Sequence, residues 1–451
     1  MRSTGYVCAF LFLCAVNCTT GDGSDKREER GVVAVSEAID HSNDSVKDFV
    51  NSQIDEGRKT FRYDTFGDEA FWGDTLQLHR AIAGQANGGV GGGVSPRTAL
   101  AVGLKVDVDA LPHDLRDALA AGQVNLDDPA STLALLKVNA VVGVTGVFDQ
   151  SGKLSSMGIQ CALCHSTVDN SFAAGIGHRL DGWANRDLDV GTIVALAPDL
   201  SVVASLLGVD QNTVRSVLVR WGASKFDAAV FLDGKAVGSD GNPHPTLIPP
   251  AYGLAGVNLH TWTGWGGVSH WNAFVANLEM HGKGTFYDPR LDDAARFPIA
   301  AAQHFGHIST PPDQDRITPK LAALQLYQLA LAAPKPPTGS FNATAAARGK
   351  ALFEGKARCA GCHVPPLYTE PGWNMHTAAE IGIDEFQAAR APDQRYRTSP
   401  LRGLFAHAKG GFYHDGRFAT LADVIAHYNA TFTLGLTSTE TSDLVEFLKS
   451  L

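Results

Sequence analysis

Between Ser36 and Phe61 the apolar residues return at helical spacing, with Val46, Phe49, Val50 and Ile54 on one face. A glycine-rich run from Gly84 to Gly93 reads as a mobile loop, and Val106 to Leu135 as short helical pieces punctuated by Asp109 and Pro112. Thr318 to Ala333 predicts a clean helix: Thr318 caps it, Pro319 suits its first turn, and Leu321, Leu324, Tyr327 and Leu331 form its stripe. Pro334, Pro336 and Pro337 end that helix and form a stiff linker, which sets a domain boundary. Beyond it, Thr344 caps a helix carrying Gly349, Leu352 and Phe353 directly ahead of Cys359. The final helix opens on a capping box, Thr437-Ser-Thr-Glu440, and presents Leu444, Leu448 and Leu451 on one face. The pattern is therefore mainly α.

The first residues follow another pattern. Arg2 precedes an apolar run, Tyr6 to Val16, that is too short to span a bilayer, and this reads as an export signal. Cys18 is either a lipidated cysteine, which would anchor the chain to a membrane, or simply lies beside a cleavage point. The polar residues after it suit a tether. The layout expected is thus 1–18 export signal, 19–35 tether, 36–333 extension plus a first domain, and 334–451 a second. The protein is expected in the periplasm or cell envelope.

Composition narrows the class. With 451 residues the chain exceeds one ordinary core, and 44% apolar with 19% charged residues is globular. A net charge of -10 argues against a nucleic-acid partner and is compatible with a basic redox partner.

Of seven cysteines, Cys8, Cys14 and Cys18 fall in the leader. The other four make Cys161-Ala-Leu-Cys164-His165 and Cys359-Ala-Gly-Cys362-His363, leaving none for disulfides. Two cysteines three apart can form thioethers to the two vinyl groups of one porphyrin, and the next histidine is then held beneath the iron. A zinc site would use the cysteine pairs but leave the histidines and the export signal unexplained. The motifs therefore predict two covalently bound haem c groups, in two c-type cytochrome domains behind a long N-terminal extension. In cytochrome c folds the first and last helices cross at a small residue, and Gly349 would permit that approach.

Further motifs carry a resemblance. Tyr396-Arg-Thr-Ser-Pro400-Leu-Arg402, Gly411-Phe-Tyr-His414-Asp-Gly416 and Thr420-Leu-x-x-Val424 resemble the "PSLRN…YFHDG…TLEEVV" pattern of bacterial di-haem cytochrome c peroxidases. That family includes relatives that oxidise tryptophan residues of a partner protein. The resemblance covers roughly residues 155 to 451. It implies that the first haem, with His165 proximal, is the peroxide site and that the second, with His363 proximal, supplies electrons. Gly175-Ile-Gly177-His178 is similar to the family's "GH" segment, which implies His178 as a departing sixth ligand. Pro245-Thr246-Leu247, Gly264-Trp265-Gly-Gly267 and Leu278-Glu279-Met280 are similar to "PTVLN…FWDGR…EM". They imply Glu279 as distal acid/base and Trp265 as electron relay, with Trp262 and Trp271 as rivals.

At the second iron the classical members use a methionine. Here Ala426-His427-Tyr428 stands instead, so the resemblance to the tryptophan-oxidising relatives implies Tyr428 as ligand, with His427 and His414 behind it. Met375 falls in a loop similar to the family's "FHNIG" and is discounted. Lys409-Gly-Gly411 replaces the family's calcium segment, which makes calcium doubtful. The expectation is an enzyme that reduces hydrogen peroxide with electrons from a small cytochrome or cupredoxin, or that oxidises a protein substrate. An electron-transfer cytochrome without chemistry of its own and a rubber-cleaving type of di-haem oxygenase are the alternatives.

Overall fold

The computed structural model describes residues 28–451, with side chains from residue 44 onward. The export signal and Cys18 lie outside the described residues, and the first helix, Glu28–Tyr63, begins inside the stretch read as a tether. Among the described residues no helix is long and apolar enough to cross a membrane. Backbone contacts divide the chain into Met1–Asn51 and Ser52–Leu451. In the first unit Val46, Phe49 and Val50, expected on one helix face, are exposed.

The second unit is helix-rich, and its strands occur as five two-stranded pairs. The end of the first helix packs on Leu321–Ala330 through Gly57, where a Cβ would fall 2.1 Å from the Ala323 carbonyl oxygen. Phe61, Phe66, Leu324 and Tyr327 bury one core there, as the stripe on Leu321–Ala330 predicts. Thr318 does not cap that helix: it stands in a tighter turn, and Asp315 accepts its amide instead. The extension's short helices include His113–Ala120 and Pro129–Lys137. They end at a hairpin, Val144–Phe148 with Leu154–Ile159, that leads into Cys161. Between His165 and Pro245 run four more helices, Val190–Ala195, Ser201–Leu207, Gln211–Leu218 and Val230–Asp233. They share a core with the extension.

After the prolines, helix Ala343–Glu354 crosses Ser438–Lys449 at Gly349, where a Cβ would stand 2.0 Å from the Asp443 carbonyl oxygen. The glycine permits the crossing by having nothing to insert between two backbones. The Thr437/Glu440 capping box forms as expected, whereas Asn342, not Thr344, caps the earlier helix. The parts of the unit before and after the prolines are joined by Arg390, whose guanidinium bonds Asp227 at 2.9 Å and Asp233 at 2.7 Å with all three side chains buried.

Candidate functional site

The first Cys-x-x-Cys-His motif closes on a four-residue helix, Ala162–His165. Gly143, at the foot of the hairpin, lies so close to Leu163 that a Cβ would meet its Cα at 2.2 Å, so hairpin and motif form one rigid corner. His165 Nδ1 lies 3.1 Å from the Pro249 carbonyl oxygen. A carbonyl can only accept, so Nδ1 carries the proton and Nε2 keeps its lone pair. Burial drives the imidazole down to about 4, which keeps it neutral and ready to ligate near pH 7. Burial also pushes the Cys161 and Cys164 thiols up to about 12.

These three side chains open into a cavity of about 970 Å³ whose walls are mostly aliphatic and aromatic. Glu279 lines the same cavity and bears electrostatically on Cys164. Desolvation alone raises its carboxyl to about 8. It ends a π-helical turn, Val275–Glu279, a local widening often found at functional positions. The extension grips the residues beyond: Trp72 Nε1 donates to the Met280 carbonyl at 2.9 Å, Phe71 stacks on His281 at 3.6 Å, and Lys283 N donates to the Phe66 carbonyl. This grip was not legible in sequence, because its partners lie some two hundred residues apart.

Polar groups around the cavity lack partners. Trp271 Nε1, His260 Nδ1 and His407 Nε2 are buried without a hydrogen bond, although all three residues line the cavity. Arg186, whose charge acts on His407, buries Nε and both terminal nitrogens with no acceptor, and burial lowers its pKa to about 10. A buried guanidinium without an anion is costly. An apolar macrocycle carrying carboxylates matches both the walls and these donors, so the residues present fit a haem.

At the second motif, His363 Nδ1 lies 3.1 Å from the Tyr368 carbonyl oxygen, and burial lowers it to about 4. It therefore has the same tautomer as His165. Tyr428, on helix Leu421–Thr431, is near enough to Cys359 and Cys362 for their charges to act on it. The alternatives are committed elsewhere. His427 Nε2 is 2.8 Å from the Ile381 carbonyl oxygen, which makes it a donor, and the His414 ring stacks on Tyr396 with centroids 4.8 Å apart. Met375 packs its sulfur against Gly264.

Two expectations are redirected. His178 is on the surface, with Nδ1 2.9 Å from Asp109 and its side chain 58% exposed; it does not line the cavity. Its turn is held by Asp169, which accepts the His178 amide, so the "GH" likeness marks a loop and not a ligand position. Trp265 does line the cavity, yet it is sealed in an aromatic core with Phe274 and Phe297 and donates to Asp288 at 3.1 Å. Trp262 also lines it, and its carbonyl accepts from Arg397 N at 2.9 Å, which ties it to the part beyond the prolines. Trp183 likewise packs on Phe405, with ring centroids 5.8 Å apart.

Comparison with known proteins bears on this geometry. No protein-family model matches the chain. It is 26% identical over 293 residues to the methylamine utilization protein MauG of Methylorubrum extorquens, covering 57% of this chain and 79% of that protein. It is 29% identical over 191 residues to the cytochrome-c peroxidase IdrP1 of Denitromonas iodatirespirans, covering 31% of this chain and 51% of the other, about half its length. Among solved structures it matches the diheme peroxidase BthA from Burkholderia thailandensis at 18% identity, over 46% of this chain and 67% of that one, with a TM-score of 0.27; an overlay this loose carries no argument. The class is that of peroxidase-like haem oxidoreductases. Within it, the chain is a relative of the di-haem cytochrome c peroxidases, their MauG-type members included.

Proposed function

We propose that the protein carries two covalently attached haem c groups and reduces hydrogen peroxide at the first, with electrons reaching it through the second from a redox partner. The observation that carries this reading is Glu279, a half-buried, desolvated carboxyl on the wall of the cavity that His165 also lines with a free Nε2. When bound there, the haem iron supplies the electrons that break the O–O bond.

The chain's own residues supply the rest. Cys161 and Cys164 hold the first macrocycle through thioethers, and Cys359 and Cys362 hold the second. The Pro249 and Tyr368 carbonyls fix the orientation of His165 and His363. Glu279 takes a proton from the peroxide oxygen nearer the metal and delivers it to the departing oxygen, which leaves as water. Two electrons and two further protons complete the balance: one peroxide yields two waters. Apolar walls exclude solvent from this transfer. For the relay, Trp265 and Trp262 both line the cavity, and the main chain of Trp262 is tied to Arg397 beyond the prolines. Tyr428 is the second ligand of the second iron. The acidic surface, with its net charge of -10, suits a basic donor protein or an oxidisable protein side chain as partner. Thioether attachment and the apolar leader fit an exported protein.

The test is rapid mixing of the holoprotein with peroxide. Glu279→Gln is expected to slow cleavage about 100-fold or more. An unchanged rate would remove Glu279 from the reaction.

A further inference from the structure

One polar group beside the second motif has no part in the reading above: the hydroxyl of Tyr413. It is buried and meets no acceptor at ordinary hydrogen-bond geometry, and the side chain it bears on is the Tyr428 phenol. Leaving such a group unpaired costs about 1–3 kcal/mol, so its retention needs a reason. The backbone adds a second peculiarity. Tyr413 has φ +70°, in the left-handed region that a bulky aromatic residue rarely adopts. Residues held in this way concentrate at functional sites.

The surroundings show what holds it and where it points. Gly411, at φ +89°, and the bridge from Phe412 N to the Phe418 carbonyl at 2.8 Å set the turn. The Tyr413 ring stands edge-on to Phe418 at 4.8 Å and to His427 at 5.7 Å. Its third aromatic neighbour is Tyr428, with ring centroids 6.0 Å apart. His427 donates through Nε2 to the Ile381 carbonyl, and no hydrogen bond joins its ring to the Tyr413 hydroxyl. The loop thus presents this hydroxyl to Tyr428, the tyrosine on which the charges of Cys359 and Cys362 act.

We propose that Tyr413 is a positioning residue of the second haem, whose hydroxyl donates a hydrogen bond to the oxygen of Tyr428. This rests on the reading of Tyr428 as an iron ligand. As a ligand, Tyr428 is a phenolate that can only accept, and the bond becomes charge-assisted and stronger than one between two neutral phenols. The bond fixes the ligand's orientation and draws electron density from its oxygen. The metal's oxidised form is then stabilised less, and its potential lies higher than with an unsupported phenolate.

The test uses the holoprotein and two single variants, Tyr413→Phe and Tyr428→Phe. Both keep the ring and so spare the packing. The readouts are the phenolate-to-iron charge-transfer absorption and the midpoint potential of the second haem. Tyr428→Phe is expected to abolish the absorption. Tyr413→Phe is expected to keep it at a shifted wavelength, and to favour the oxidised form about tenfold, equivalent to about 59 mV lower potential. If Tyr413→Phe moves neither readout while Tyr428→Phe abolishes the absorption, the ligand reading stands and this proposal falls. If Tyr428→Phe leaves the absorption intact, the ligand reading itself fails. If Tyr413→Phe alone removes it, Tyr413 is the ligand and the proposal is overturned.

Discussion

The two Cys-x-x-Cys-His motifs share a proximal side and differ in what faces them. In each, a backbone carbonyl 3.1 Å from Nδ1 fixes one tautomer, and burial lowers the imidazole to about 4. Beyond the first lies a cavity of about 970 Å³ with a carboxyl raised to about 8. The second is faced by the packed rings of Tyr413, Tyr428 and Phe432. Under the proposed function, open space with a movable proton suits the peroxide reaction, whereas a tyrosine beside the second motif suits an iron that only changes charge.

Exchanging or erasing these features tests the contrast. The largest effect is expected from His165→Gly, which should abolish peroxide reactivity while leaving the second haem's spectrum intact; retained turnover would reverse the assignment of the two sites. The pH profile of peroxide cleavage comes next. Glu279 must be ionised to take the first proton, so the rate should rise with pH and level off above about 8, a limb that Glu279→Gln should remove. The same group has a consequence for stability. Its folded value of about 8 lies above its ordinary 4.5, so the folded chain binds the proton more tightly than the unfolded one. Its contribution is full below about pH 4.5 and is lost as pH rises through about 8, and denaturant titrations of wild type and Glu279→Gln across that window would reveal it.

Arg390→Ala strikes the join between the two parts. It would strand the buried Asp227 and Asp233 carboxylates, at a cost of about 3–5 kcal/mol measurable by urea unfolding. Trp72→Phe is the mildest change. It leaves the buried Met280 carbonyl without its donor, costing about 1–3 kcal/mol. It should also slow peroxide cleavage without altering the second haem, because the freed segment carries Glu279. Equal slowing of both haems' reactions would mark Trp72 as merely structural.

What the sequence made legible was local. Both motifs, the Thr437 capping box and the glycine at the helix crossing depend on residues close in the chain or on one missing side chain, and the structure has all of them. A short likeness pointed to Glu279, and the structure puts it on the cavity wall with a carboxyl that desolvation raises to about 8. The surroundings of the relay and sixth-ligand candidates were not legible for a common reason. Gly177-His178 and Gly264-Trp265 are sequence neighbours of the right places, but which side chain enters the cavity is decided by distant partners. Asp109 holds His178 at the surface, and Asp288 with Phe297 fixes Trp265 in an aromatic core at the cavity wall. The extension was silent for the same cause: its grip on residues 280–283 is a pairing across two hundred positions. The hairpin before Cys161 was missed because its alternation sits inside a stretch otherwise rich in helix signals.

The most direct measurement is low-temperature EPR with optical spectroscopy on the purified holoprotein, before and after stoichiometric peroxide. The expected result is one high-spin ferric signal, from an iron open on the Glu279 side, that peroxide converts to a higher oxidation state, beside one low-spin signal that Tyr428→Phe alters. Two low-spin haems that ignore peroxide even after partial reduction would contradict the account and make the protein an electron carrier.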